Sequence, residues 1–247
     1  MWNDCAFKHK LNYLDEIQTF FGNEYTAFGT AMHSVCENFL LEQEFNPAEF
    51  FQLTFLEELS KLKSKNVPLR KDMVLEMRQQ GQNICDYVMP AVNDYFEEYE
   101  VVSVEEQLME GIEDFQSEGL KFKGFIDLVV KTPDGKYHII DWKSCSWGWD
   151  MKRRSDSITT YQLTLYKHFF AKKHNIDLKN IETHFALLKR TAKKENVEFF
   201  RVTSGDRKRN NALKLLEKAV KNINEENFFK NKMSCARCDY HKTSHCP

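Results

Sequence analysis

Apolar positions recur at helical spacing through the first hundred residues and at strand spacing beyond them. From Tyr25 to Gln43, Phe28, Met32, Val35, Phe39 and Leu40 share one helical face, and 5–43 reads as largely helical. A further helix is expected over 47–65, with Pro47 suited to its first turn. Another is expected over 70–98, with Gly81 a weak point and Pro90 a kink or break. The pattern changes near residue 101. Val101–Ile112, Leu120–Lys131, Lys136–Ser144, Ile181–Arg190 and Val197–Thr203 read as strands, with a helix over 156–174 between the third and fourth. A last helix is expected over Ser204–Asn224, with Ser204 as its N-cap. Helices flanking a central group of strands predict one α/β domain with a helical elaboration before the sheet.

The turn Thr132-Pro133-Asp134-Gly135 fixes a register. Pro133 and Asp134 fit the central positions of a type I turn, and Gly135 the left-handed residue that completes a three-residue hairpin loop. Thr132 then pairs with Lys136, Val129 with Ile139, Asp127 with Asp141, and Phe125 with Lys143. Directly opposed residues share a face, so two carboxylates stand side by side with a lysine beyond them. Like charges in that position repel. A divalent cation such as Mg²⁺ or Mn²⁺ resolves the repulsion, since hard oxygen ligands suit both. It would also activate water and neutralise charge on a phosphate oxygen, with Lys143 orienting the water or stabilising the transition state. The alternative is an ion-paired patch at a sheet edge, with Lys143 satisfying both aspartates.

Charge alters this picture little. The net charge is −2, so no global basic field marks a nucleic-acid partner, although basic residues cluster at Lys152-Arg153-Arg154, Lys189-Arg190 and Arg207-Lys208-Arg209. No basic-then-apolar leader opens the sequence, and no stretch approaches ~20 apolar residues. A cytoplasmic setting is therefore expected, in a prokaryotic or phage context. The seven cysteines are then expected to be thiols or metal ligands rather than disulfides.

Gly124-Phe125-Ile126-Asp127 and Ile140-Asp141-Trp142-Lys143-Ser144 resemble the core of the PD-(D/E)xK nuclease superfamily. Gly29-Thr30-Ala31-Met32-His33 resembles the Gly-x-x-x-His helix motif of its RecB-type branch, and Gln162-Leu163-Thr164-Leu165-Tyr166 the Gln-x-x-x-Tyr motif. One cysteine near the start and three near the end resemble the iron–sulfur version of that branch, as in AddB and the CRISPR-associated RecB-like nucleases. The resemblance runs from Cys5 to Cys246. It implies a restriction-endonuclease-like core, a mixed β-sheet flanked by helices. A single nuclease domain would then span 1–247, with the elaboration at 44–98, the catalytic sheet at 101–203 and a metal staple of 233–247 with Cys5. It also implies His33, Asp127, Asp141 and the Trp142 carbonyl as metal ligands and Lys143 as the catalytic lysine. Gln162 and Tyr166 would support the site or contact the strand, and Glu105 or Glu106 would assist. The implied activity is exonucleolytic cleavage of single-stranded or frayed DNA. The chain has no phosphate-binding loop of the Gly-x-x-x-x-Gly-Lys-Ser/Thr type, so unwinding would fall to a helicase or recombination partner.

Cys235-Ala236-Arg237-Cys238 followed by Cys246 is a metal-ligand spacing. With Cys5 as fourth ligand, a [4Fe-4S] cluster would tie the two ends of the chain together. With His241 or His245 instead, the three cysteines would make a tetrahedral zinc site. A tail without metal is the third reading. Cys36, Cys85 and Cys145 are expected to be unligated. After the active-site strand, Trp147 and Trp149 precede Lys152, Arg153 and Arg154. Two readings stand: aromatics and cations holding the bases and phosphates of a single strand, or tryptophans that fill the core.

Overall fold

The computed structural model describes residues 1–41, 44–112 and 120–247. Its elements run in chain order α1 (Ala6–Tyr13), α2 (Glu24–Leu40), α3 (Pro47–Ser64), α4 (Lys71–Phe96), β1 (Glu100–Gly111), β2 (Lys121–Lys131), β3 (Tyr137–Cys145), α5 (Met151–Ser155), α6 (Ser157–His174), β4 (Ile181–Lys189), β5 (Val197–Val202) and α7 (Asp206–Asn224). The five strands form one mixed sheet in the order β1-β2-β3-β4-β5. β3 runs antiparallel to β2 and parallel to β4, and β5 runs antiparallel to β4. A parallel β3–β4 pair requires a crossover, and α5 and α6 supply it. The fold is α/β, with helices flanking the sheet and the N-terminal helices preceding it, as the pattern predicted.

Contacts divide the chain into two compact units: 22–110 with 121–210, and 1–21 with 111–120 and 211–247. In the first, α2, α3 and α4 bury Phe28, Met32, Phe51, Phe55, Met77 and Val88 in one cluster with Leu128, Ile140, Trp142 and Ala186 from the sheet. The even-numbered residues of β3 thus face these helices. By alternation, Ile139, Asp141 and Lys143 face the other way.

Four local expectations are revised. The stretch 14–23 is not helical. Asn23 opens α2 instead, its side chain accepting the N–H groups of Tyr25 and Thr26 in a capping box. Pro90 does not break α4, which continues to Phe96. Proline removes a single intrahelical hydrogen bond, and Ile84, Val88 and Val92, all fully buried or nearly so, hold the helix in place across it. Gly81 is a packing site: a Cβ there would lie 2.0 Å from the Phe51 ring, so only glycine lets α3 and α4 approach. Ser204 is not the cap of α7, which starts at Asp206. Its hydroxyl shares a 2.9 Å hydrogen bond with Thr164, and Gly205 supplies the first accepting carbonyl, to the N–H of Arg209.

In the second unit, the Cys5 side chain caps α1, accepting from the Lys8 N–H at 3.5 Å. Lys8 pairs with Asp239 at 3.2 Å. Tyr240, buried, donates to the Ile17 carbonyl at 2.5 Å. Cys5, Cys235, Cys238 and Cys246 all line one cavity of about 300 Å³, which His241 also borders. None forms a disulfide.

Candidate active site

The hairpin forms as its turn chemistry dictates. Thr132 N–H donates to the Lys136 carbonyl, Gly135 N–H donates to the Thr132 carbonyl, and Gly135 has φ +81°. The expected register holds from Lys131–Tyr137 to Leu128–Ile140. One step on, the Asp127 side chain reaches across to β3, and its Oδ2 accepts the Trp142 N–H at 2.6 Å.

This places four groups together. Asp141, 2% exposed, has Lys143 Nζ 2.5 Å from its Oδ2. His33 Nδ1, from α2, lies 3.7 Å from Asp127 Oδ2. Glu105 joins them from β1: one donor atom each from His33, Glu105 and Asp127 lie within 4.8 Å of one another. The sequence left Glu105 and Glu106 undivided. Glu105 has φ +50°, a left-handed conformation that a side chain adopts inside a strand only at local cost. Glu106 is engaged elsewhere, by Lys173, His174 and Ser103.

Gly29 lies one turn before His33. A Cβ there would meet Ser144 Oγ at 3.4 Å, an ordinary contact, so α2 passes beside the end of β3. Gly124 gives α6 close passage: a Cβ would stand 2.7 Å from the Tyr166 ring. Gln162 Nε2 donates to the Tyr166 hydroxyl at 3.1 Å, so the two helix residues act as one group. Burial raises the Tyr166 hydroxyl above its ordinary range, and the charges of Asp141 and Asp127 add to this.

The carboxylates are held in a costly state. Burial pushes Asp127 up to about 7, against the Trp142 N–H and the Lys143 charge. It pushes Asp141 up to about 6, with Lys143 opposing and Asp127 reinforcing. Burial also raises Glu105 and lowers His33. The imidazole is thus available as a neutral ligand, while Lys143 only partly offsets the burial of the two aspartates. Asp141 Oδ2 is buried, with Lys143 Nζ 2.5 Å away as its partner. A divalent cation fits this donor set of carboxylate oxygens and one imidazole.

Beyond Ser144 lies a groove of about 460 Å³ bordered by Tyr25, Ser146, Trp147, Arg153 and Arg190. Trp147 is exposed there. Trp149 is not: it is buried with its ring 5.0 Å from Phe185 and 5.9 Å from Phe200, so it fills the core. Arg154 is also corrected. Its guanidinium pairs with Glu198 and donates to the Trp149 carbonyl, which ties it to the protein. Arg153 lies over the Trp149 ring at 4.3 Å and borders the groove, whereas Lys152 is exposed outside it.

Arg190 was missed as an individual, because a basic pair in sequence reads as solvated surface. In the structure it is buried, and its partners are neutral: Ser146 Oγ at 2.6 Å, Gln80 Oε1 at 3.2 Å, and the Tyr25 ring at 5.0 Å. Among the described residues it pairs with no carboxylate. A guanidinium so placed can accept a phosphate. Arg190→Met, which keeps the buried stem, is expected to weaken binding of a single-stranded oligonucleotide about tenfold and to reduce the salt slope by about one unit. Fluorescence anisotropy across a salt series measures both, and an unchanged affinity and slope would remove Arg190 from the interface.

Known proteins share parts of this sequence and fold. The family model described as the PD-(D/E)XK nuclease superfamily matches residues 2–246. A crystal structure of a protein from Eubacterium rectale, described as a candidate exonuclease, superposes with a TM-score of 0.57 at 13% identity, over 98% of this chain and 83% of that one. The structure of SSO0001 superposes at 0.39 with 15% identity, over 86% and 92%. No curated protein matches.

Proposed function

The chain belongs to the PD-(D/E)XK nuclease superfamily, and on that premise we propose that it is a divalent-metal-dependent exonuclease of the RecB type, acting on single-stranded or frayed DNA ends. One observation carries this reading: a buried Asp141 paired with Lys143, beside three converging donors from His33, Glu105 and Asp127. Phosphodiester hydrolysis follows from the family, whereas strand preference and end dependence are the proposal.

In this reading His33, Asp127, Asp141 and the Trp142 carbonyl hold Mg²⁺ or Mn²⁺, with Glu105 at the rim. The bound cation would polarise a phosphate oxygen and lower the pKa of an attacking water. Asp127, through the Trp142 N–H, fixes the backbone that presents both the Trp142 carbonyl and Lys143. Lys143 stands beside Asp141, where it can orient the water and stabilise the charge that builds on the phosphate. Gln162 and Tyr166 position the strand on the α6 side. Trp147, Arg153 and Arg190 hold its bases and phosphates, the exposed aromatic ring supporting a single-stranded substrate. Any unwinding would come from a partner helicase.

Digestion of linear and covalently closed single-stranded circles with Mg²⁺ or Mn²⁺ tests this. Loss of the linear form alone is expected. Cleavage of the circle would make the enzyme an endonuclease, and no cleavage of either would turn the reading toward a DNA-binding module.

The convergence of Cys5, Cys235, Cys238 and Cys246 on one cavity supports the [4Fe-4S] reading over zinc held by the tail alone. Protein purified without oxygen is then expected to be brown, with broad absorption near 400 nm that Cys5→Ser removes. Colourless protein containing one zinc per chain, unaffected by Cys5→Ser, would favour zinc.

A further inference from the structure

A second set of metal-ligating side chains lies on the opposite face of the sheet from Asp141. Three residues from two neighbouring strands form it: His138 on β3, and Glu182 and His184 on β4. Parallel pairing sets His138 beside Glu182 and Ile140 beside His184. One donor atom from each of the three lies within 4.8 Å of the other two. Both imidazoles are buried, at 8% and 2% exposure.

Hydrogen bonding orients both rings. The Thr132 hydroxyl donates to Asp134 Oδ1 at 2.5 Å. Its oxygen therefore accepts from His138 Nε2, 3.0 Å away. His138 Nδ1 is then left with its lone pair, which points at His184 Nε2, also 3.0 Å away. The outer nitrogen of His184, Nδ1, sits 3.2 Å from the Tyr95 hydroxyl, which can accept its proton. Each ring thus has one nitrogen at an orienting hydroxyl, and the two inner nitrogens face each other 3.0 Å apart. Metal-bound histidines are oriented in the same way by their outer partners.

Charges of both signs surround the cluster, Arg201 among them at the cavity wall. Lys136 and Arg201 hold Glu182 Oε1 at 3.5 and 3.0 Å, fixing the carboxylate at the rim. The cluster opens on a cavity of about 650 Å³ that Glu97, Glu98 and Asp134 also border, so the mouth carries acidic groups. Phe96 packs on both rings and Tyr95 on His184, limiting their rotation. Burial lowers both imidazoles, His184 to about 3. Both are therefore neutral at pH 7, and neutral imidazole is the form that ligates.

We propose that His138, Glu182 and His184 form a second metal site, separate from the catalytic one, that binds Zn²⁺ with two imidazoles and one carboxylate and leaves a fourth position open to the cavity. Two histidines and a carboxylate favour zinc over the hard cations suited to the catalytic carboxylates. The ion would clip β3 to β4 at the end of the sheet opposite Lys143.

Co²⁺ serves as a probe of zinc geometry. The full chain carrying Asp127→Asn and Asp141→Asn, stripped with chelator, is titrated with Co²⁺. The expected result is a visible d–d spectrum of a nitrogen- and oxygen-ligated tetrahedral ion, saturating at one equivalent and displaced by Zn²⁺. Thiolate ligation in the cysteine tail would add near-ultraviolet charge-transfer bands and so be separable. His138→Gln should remove the visible bands, and Glu182→Gln should weaken Co²⁺ binding at least ~10-fold. Zn²⁺ should also raise the melting temperature of the Asp127→Asn/Asp141→Asn protein, and Glu182→Gln should shrink that rise. If His138→Gln does not fold, Glu182→Gln, at the half-buried rim, still decides. Absence of the visible bands, or bands and Zn²⁺ stabilisation unchanged by Glu182→Gln, would overturn the site.

Discussion

Asp141→Asn is expected to reduce DNA cleavage at least ~1000-fold, equivalent to about 4 kcal/mol of barrier, while making the metal-free protein more stable at pH 8. The first effect follows from the loss of a ligand from the most buried position in the site. The second follows from the work of holding that carboxylate there. Burial raises Asp141 from 3.8 to about 6 and Asp127 to about 7. A carboxyl whose folded pKa is raised contributes stability below pH 3.8, where it is protonated in both states. That contribution is lost as pH rises through 6 to 7, when the folded protein must carry the buried charge. At about 1.4 kcal/mol per pKa unit, the cost at pH 8 amounts to a few kcal/mol. Replacing Asp141 by an uncharged isostere removes its share, and a rise of about 3–6 °C in melting temperature is expected in chelator at pH 8, with little change at pH 4.5. Mn²⁺ should stabilise the natural protein and not the variant. A variant less stable than the natural protein at pH 8 would mean that Asp141 is a structural ion-pair partner.

Much of this site was legible because the hairpin is short and its turn is chemically explicit. Gly135 at positive φ fixes the loop, the loop fixes the register, and the register runs to Leu128 and Ile140, one step short of Asp127 and Asp141. What the register could not give is the departure at its end, where Asp127 leaves the ladder and bonds the Trp142 N–H. Backbone pairing is periodic, but a side chain competing for one N–H is a local event. Glu105 and Glu106 show the same limit. Alternation along a regular strand cannot say which of two neighbours faces the site once one residue adopts a left-handed φ.

Long-range pairing hid other features. Arg190 and Arg154 look alike in sequence, as members of basic runs. Arg154 finds Glu198 on β5, whereas Arg190 is buried among Ser146, Gln80 and Tyr25. Trp147 and Trp149 stand two residues apart, yet one is open and the other is packed against Phe185 and Phe200. His138 and His184 gave no motif at all, because they meet only through the parallel pairing of β3 with β4. The helices were easier to read. α3 and α4 follow their apolar spacing, and Pro90 failed as a breaker because tertiary packing on both sides outweighs one missing hydrogen bond.

Lys143→Met separates two functions that the ion pair with Asp141 combines. The ammonium at 2.5 Å offsets the burial of Asp141. Without it, the Asp141 carboxyl holds its proton to higher pH, and that proton competes with metal. The acid limb of the pH–rate profile should therefore move upward, and more Mn²⁺ should be needed for half-maximal activity at pH 7. If Lys143 served only as a countercharge, saturating Mn²⁺ at pH 8.5 would take its place and restore the rate. A lysine that orients water and stabilises the transition state leaves a defect that metal cannot repair, and kcat should stay ~100–1000-fold low under those conditions. Lys143→Arg keeps the charge beside Asp141 but presents a planar, delocalised cation. It should return the pH profile and the Mn²⁺ requirement toward those of the natural protein while recovering kcat only in part. Full recovery of kcat in Lys143→Met at saturating Mn²⁺ would reduce Lys143 to an electrostatic support for Asp141.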